Sequence, residues 1–201
     1  MEAHYSLPGY IQYFDPKRYA DRPALRARFG FEPDERVVLA TVGGTAAGRS
    51  LLHRIIGSFP EVRRRLPGMR LIVVAGPRIE PDSLPHADGI EVRGYVSDLY
   101  EQLAACDLAL VQGGLTTTME LVTSGRPFLY FPLHRHFEQT LHVPHRLANY
   151  GVSADARMDF ASATPEHLAE RMVAALTRTS GYRPVETGGA ATAARLIAEL
   201  L

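Results

Sequence analysis

The amino-acid sequence predicts an α/β fold, a doubly wound parallel sheet of about six strands with helices on both faces. Three observations predict it. Short apolar, β-branched runs recur along the chain, a helical pattern follows most of them, and several end in glycine or another small residue. Runs without polar alternation suit strands buried on both faces, which is the condition of a parallel sheet. Strand–helix alternation of this kind belongs to a Rossmann-like domain.

Residues 1 to about 20 carry Tyr5, Tyr10, Tyr13 and Phe14 without a clear period and read as a linker. In DRPALRARFG, Asp21 is an N-cap, Pro23 lies in the first turn, and Gly30 stands just past the helix end. VVLATV (37–42) is the first strand, ending in Gly43-Gly44, and SLLHRIIGSF is an amphipathic helix. Arg63-Arg64-Arg65 reads as a solvated helix end. LIVVAG (71–76) and IEVRGYV (90–96) are the second and third strands, and DLYEQLAA is a short helix. LALVQ (108–112) is the fourth strand, broken by Gly113-Gly114 before a helix that Gly125 closes. RPFLYFP (126–132) is the fifth strand, and HFEQTLHV with HRLANY makes one or two helices around Pro144. GVSA (151–154) is expected as a sixth strand. Thr164, Pro165 and Glu166 then begin a helix by cap, first position and first-turn acid. AATAARLIAELL is a terminal helix. The chain divides into a linker with its leading helix, 1–36, and a domain at 37–201.

With 201 residues and 46% hydrophobic content, the chain can bury one compact core. Lys plus Arg and Asp plus Glu each number 22, so there is no basic excess of the kind that marks a nucleic-acid binder. Cys106 is the single cysteine and reads as a buried structural thiol, so a reducing compartment is expected. No apolar stretch is long enough to span a bilayer, and MEAHYSLPGY lacks a signal-peptide core. The expected location is the cytoplasm.

In a doubly wound fold, ligands bind outside the carboxyl ends of the strands. Gly43-Gly44, Ala75-Gly76 and Gly113-Gly114 stand at such ends, where glycine lets a ligand approach the backbone and a following helix N-terminus favours an anion. VGGTAAG (42–48) is neither a dinucleotide fingerprint nor a P-loop. Within VQGGLTTTMEL, Thr117-x-x-Glu120 has capping-box spacing, and the same carboxylate could instead line a pocket. His134, His136, His142 and His145 do not have the spacing of a zinc motif, so no metal is expected. Glu138 and Gln139 in that stretch suit the hydroxyls of a sugar. No nucleophile–base arrangement can be read from spacing, and the catalytic residue is unassigned.

Taken together, TVGGT, GYV before a short helix, QGGLTTTMELVTSGRPFLYFP and HFEQ resemble the C-terminal, donor-binding domain of GT-B glycosyltransferases, MurG-like members of family 28 above all. The UDP-glucuronosyl and glucosyl transferases are more distant. The resemblance runs from about Val37 to Leu176. It implies that Gly113, Gly114, Leu115, Thr116 and Thr117 hold the donor diphosphate and that Glu120 grips the ribose. It places the backbone of Val96 against the base and Glu138 with Gln139 against the sugar. Gly43, Gly44 and Thr45 would form the first glycine loop, facing the interdomain cleft. Gln112 stands where plant and animal relatives usually have His, and His142 where many have Asn; both bear on donor identity.

The implied activity is that of an inverting, metal-independent hexosyltransferase using a UDP- or dTDP-sugar as substrate, with no cofactor. The implied partner is an N-terminal acceptor-binding GT-B domain, in cis or as a separate subunit. That partner would supply the catalytic base and any peripheral membrane association. GYIQYFDPKRYADRPALRARFG resembles the interdomain connection of two-domain members, so the chain would be part of a longer protein or a natural half. A GT-B nucleotide-sugar epimerase or hydrolase, or a non-catalytic interaction module, are the alternatives.

Overall fold

The computed structural model describes residues 5–12, 14–44, 46–97 and 99–200. Along the chain run α1 (Arg22–Arg28), β1 (Val37–Thr41), α2 (Arg49–Arg65), β2 (Arg70–Val74), β3 (Ile90–Arg93) and α3 (Leu99–Ala105). There follow β4 (Leu108–Val111), α4 (Leu115–Thr123), β5 (Phe128–Tyr130), α5 (Val143–Asn149), α6 (Pro165–Thr177) and α7 (Gly189–Ala198). The strands form one parallel sheet in the order β3-β2-β1-β4-β5, with Val38 in register with Leu71 on one side and Leu108 on the other.

The continuous apolar runs are strands that bury both faces. Val38, Ala40, Leu71, Val73, Leu108 and Leu110 face a core closed by Leu52, Ile55 and Phe59 of α2 and Leu168 and Met172 of α6. Their neighbours Val37, Leu39, Ile72, Val74, Ala109 and Val111 face the opposite core, built with Leu25 of α1, Leu103 of α3, Met119 of α4 and Leu147 of α5. Alternate side chains point to opposite faces of a strand, so a residue sequence with no polar position is what two covered faces require.

Local caps stand where the sequence puts them. The Asp21 carboxylate accepts the Ala24 amide at 3.1 Å, the Thr164 hydroxyl accepts the His167 amide at 3.2 Å, and Gly30 and Gly125 follow α1 and α4 with positive φ. Arg63, Arg64 and Arg65 are the last turn of α2, with Arg64 and Arg65 paired to Glu61 and Arg63 to Asp88. The helix extends through Pro60.

The sixth strand does not form. Ser153 accepts the Asp155 amide and caps a single 3-10 turn over Ala154–Ala156 instead, and the edge of β5 meets only an isolated bridge between Tyr130 and Arg157. The hydroxyl offered the backbone a local partner before a ladder could be built. Among the described residues, the sheet has five strands, and no helix is long and apolar enough to cross a membrane.

At the amino end of β4, Asp107 ties α1 to the sheet. Its carboxylate accepts from Arg22, from Arg26 and from the Val37 amide at 2.8 Å. Arg26 is 5% exposed and also donates to the carbonyls of Ala105, Glu32 and Glu35. Removing one member of a buried charge pair strands the other. Asp107→Ala is therefore expected to cost about 3 kcal/mol, read as a lower urea midpoint at an unchanged slope.

Candidate functional site

All five strands run the same way, so their carboxyl ends share one edge. The chain leaves β1 towards β2 and β3, then returns to place β4 on the other side of β1. The crevice between β1 and β4 is the topological switch point, where open α/β sheets take their ligands. Gly43-Gly44 leave β1 there and Gly113-Gly114 leave β4. A Cβ built on Gly44 or Gly114 would meet nothing within 4 Å, so both loops look onto open space. Gly113 turns with φ +78°, and a Cβ there would lie 3.0 Å from the Tyr130 ring. Gly76 backs the first loop. Its φ is +79°, and a Cβ would fall 2.6 Å from the Gly43 carbonyl oxygen.

Gly114 is the N-cap of α4 and brings no side chain to the helix end. An α-helix leaves its first amides without an intrahelical acceptor. Here the Leu115 amide donates to the Glu138 carboxylate at 3.2 Å, across 23 residues. Thr116 is exposed, Thr117 is half-buried, and the Thr118 hydroxyl donates within the first turn to the Gly114 or Leu115 carbonyl. The capping-box reading of Thr117 and Glu120 does not survive, because the helix begins two residues before Thr117. Glu120 stands in the second turn, and Glu138 supplies the cap.

Glu120 is 7% exposed. A narrow cavity joins it and Thr116 to Tyr10, Ile11, Gln12 and Phe14, residues of the leading segment laid across α4. Gln12 donates to the Thr123 hydroxyl at 2.7 Å, and Phe14 stacks on Tyr100 of α3 with ring centroids 3.5 Å apart. The Tyr10 phenol is pushed up to about 12, first by burial and then by the charge of Glu120. Where the sequence suggested an unpatterned linker, the structure has one wall of the Glu120 cavity. The aromatics of that segment were the signal for it.

Gln139 is buried, and its amide oxygen accepts the Leu133 amide at 2.9 Å, so it braces the loop that carries Glu138. Val96 follows β3 on the same edge and packs against the α3–α4 side of the sheet. Thr45 lies outside the described residues. His134, His136, His142 and His145 are exposed, with His134 3.3 Å from Asp159 and His136 accepting the Gln139 amide at 3.4 Å. Among the described residues, no three His, Cys, Asp or Glu side chains are grouped to hold a metal ion. Another cavity opens beside the start of β5, lined by Arg171, Arg178 and Tyr182. Both arginines there already pair with Asp155, which leaves no spare cation for a ligand.

This arrangement is the fold of one half of a GT-B glycosyltransferase. The calicheamicin glycosyltransferase CalG4 superposes with a TM-score of 0.60 at 15% identity, over 84% of this chain and 40% of that one. The spinosyn rhamnosyltransferase SpnG complexed with thymidine diphosphate gives 0.53 at 21%, over 84% and 42%. In sequence, an uncharacterized glycosyltransferase of Methanopyrus kandleri is 26% identical over 187 residues, 92% of this chain and 52% of its own length. A Mycobacterium UDP-N-acetylglucosamine–N-acetylmuramyl-(pentapeptide) pyrophosphoryl-undecaprenol N-acetylglucosamine transferase is 30% identical over 177 residues, 86% of this chain and 46% of its own. The chain spans about half the length of these relatives. No protein-family model matches it.

Two outcomes are expected. Gly76→Ala forces a side chain against the Gly43 carbonyl from a left-handed backbone, and should lower stability by about 2 kcal/mol in a thermal melt. Cys106 is fully buried, its thiol donates to the Leu103 carbonyl at 3.1 Å, and burial, with the charge of Asp107, pushes it up to about 12. It should resist a disulfide reagent at pH 8 until denaturant opens the core, whereas a catalytic thiolate would react at once.

Proposed function

We propose that this chain is the nucleotide-sugar-binding half of an inverting, metal-independent glycosyltransferase. The reading rests on one observation above the rest. The N-terminus of α4 opens at the switch point between two glycine turns, with free space before Gly114. Backbone amides and the positive end of a helix favour an anion there. The donor diphosphate would lie against Leu115, Thr116 and Thr117, and the amides would take up charge as the glycosyl bond breaks. Gly43, Gly44 and Thr45 would face it from β1, Val96 would meet the base, Glu120 the ribose, and Glu138 with Gln139 the sugar. A UDP- or dTDP-sugar is the donor class. UDP-N-acetylglucosamine in the name of one relative and thymidine diphosphate in the complex of another support it.

The acceptor and the catalytic base would come from an N-terminal GT-B domain, in cis or on a second subunit. The relatives' greater length supports that partner. The site of action would be the cytoplasm or, through the partner, the membrane face. On its own, this chain should bind donor and transfer nothing.

One observation favours a second reading, an interaction module with purely structural glycines: Glu120 lies almost wholly beneath Tyr10, Ile11, Gln12 and Phe14. Isothermal titration with UDP, UDP-sugars and dTDP separates the two, since a module binds none of them at millimolar concentration. The ribose contact has its own measurement. Wild-type protein should prefer UDP over 2′-deoxy-UDP by about tenfold, and Glu120→Gln should erase that preference; equal ratios in the two proteins would remove Glu120 from the ribose.

A further inference from the structure

A carboxylate already occupies the position where the proposed site puts a phosphate. Glu138 reaches from the wide helical turn after β5 to the Leu115 amide, the first amide of α4. Gly114 offers no competing cap, and the space in front of it is open. Glu138 is itself half-buried rather than sealed in, so its carboxylate can rotate towards solvent. Gln139, by contrast, is buried and holds the Leu133 amide, so the loop stays in place when Glu138 moves.

A phosphate oxygen and a carboxylate cannot share one amide, because like charges at hydrogen-bond distance repel strongly. A diphosphate that takes the Leu115 amide must therefore displace Glu138. The displaced carboxylate is an acceptor without a donor, and the hydroxyls of a sugar joined to the diphosphate are donors.

From this geometry we infer that Glu138 sets the preference of the site for a nucleoside diphosphate that carries a sugar over one that does not. The inference rests on the donor-binding reading. A bare nucleoside diphosphate evicts the carboxylate and returns nothing to it. A nucleotide-sugar evicts it and then supplies hydroxyls for it to accept. After transfer the compensation is gone, Glu138 returns to Leu115, and the spent diphosphate is expelled. Glu138 acts here as a specificity-determining residue, and the exchange of one anion for another at a single amide is its means.

The test titrates this chain with UDP, dTDP, UDP-N-acetylglucosamine and dTDP-glucose, as wild type, Glu138→Gln and Glu138→Ala. Glutamine keeps an acceptor for the Leu115 amide without the charge, so that variant retains its cap. Both variants should bind the bare diphosphates about tenfold more tightly than wild type, the scale of one charge-assisted contact. Neither should gain affinity for the nucleotide-sugars, so the sugar-to-bare ratio falls by about the same factor. Bare-diphosphate affinity that is unchanged or weaker in both variants overturns the role of Glu138, whether or not the melting temperature moves. If no protein binds any of the four nucleotides, the donor-binding reading itself fails, and this inference with it.

Discussion

A sheet in which every strand points the same way delivers all of its carboxyl ends to one edge, and the rest of this molecule follows from that constraint. Each strand end must hand the chain to a connection that returns over a face of the sheet. The turns that make those hand-overs at Gly43, Gly76 and Gly113 therefore crowd together. Gly76 lies so close under the Gly43 carbonyl that neither loop has room for a side chain at the contact. Crowding of backbone, rather than any single functional group, creates the concave polar surface between β1 and β4. The helix that starts there inherits both its exposed amides and its orientation towards the crevice.

The features legible in the sequence are those decided within a few residues. Asp21 and Thr164 accept amides three positions away, and Gly30 and Gly125 end helices by their own backbone freedom, so their roles are written locally. The five buried strands were legible for a similar reason, since covering both faces leaves no polar position to misread. Decisions made at a distance were not. GVSA has a plausible strand composition, but its pairing depended on whether β5 offered a long enough edge, and a three-residue strand did not.

The start of α4 shows how small the margin was. Placing the cap at Thr117 makes Glu120 a capping residue, whereas the cap at Gly114 puts Glu120 a full turn deeper and passes its duty to Glu138. No local pattern could reveal that a carboxylate 23 positions on would reach back to that amide. The covering of Glu120 by Tyr10, Ile11, Gln12 and Phe14 was hidden for the same reason. Those residues have no period because they follow neither helix nor strand, and their partners lie on α3 and α4.

The turn that carries Glu138 is wound more loosely than the helix it leads into. Over Glu138–His142 the backbone bonds reach five residues rather than four, as in the Val143 amide donating to the Glu138 carbonyl. Such a bulge holds one residue more than an α-helix of the same rise. The buried Val143 and Leu147 fix α5 in rotation, so the surplus residue must be absorbed upstream. A deletion of one residue between Thr140 and His142 that restored ordinary winding would turn Glu138 by about 100° around the axis. Its carboxylate would then point away from α4 with no change in any side chain of the site. Chain length in this stretch is thus under the same constraint as the identity of Glu138 itself.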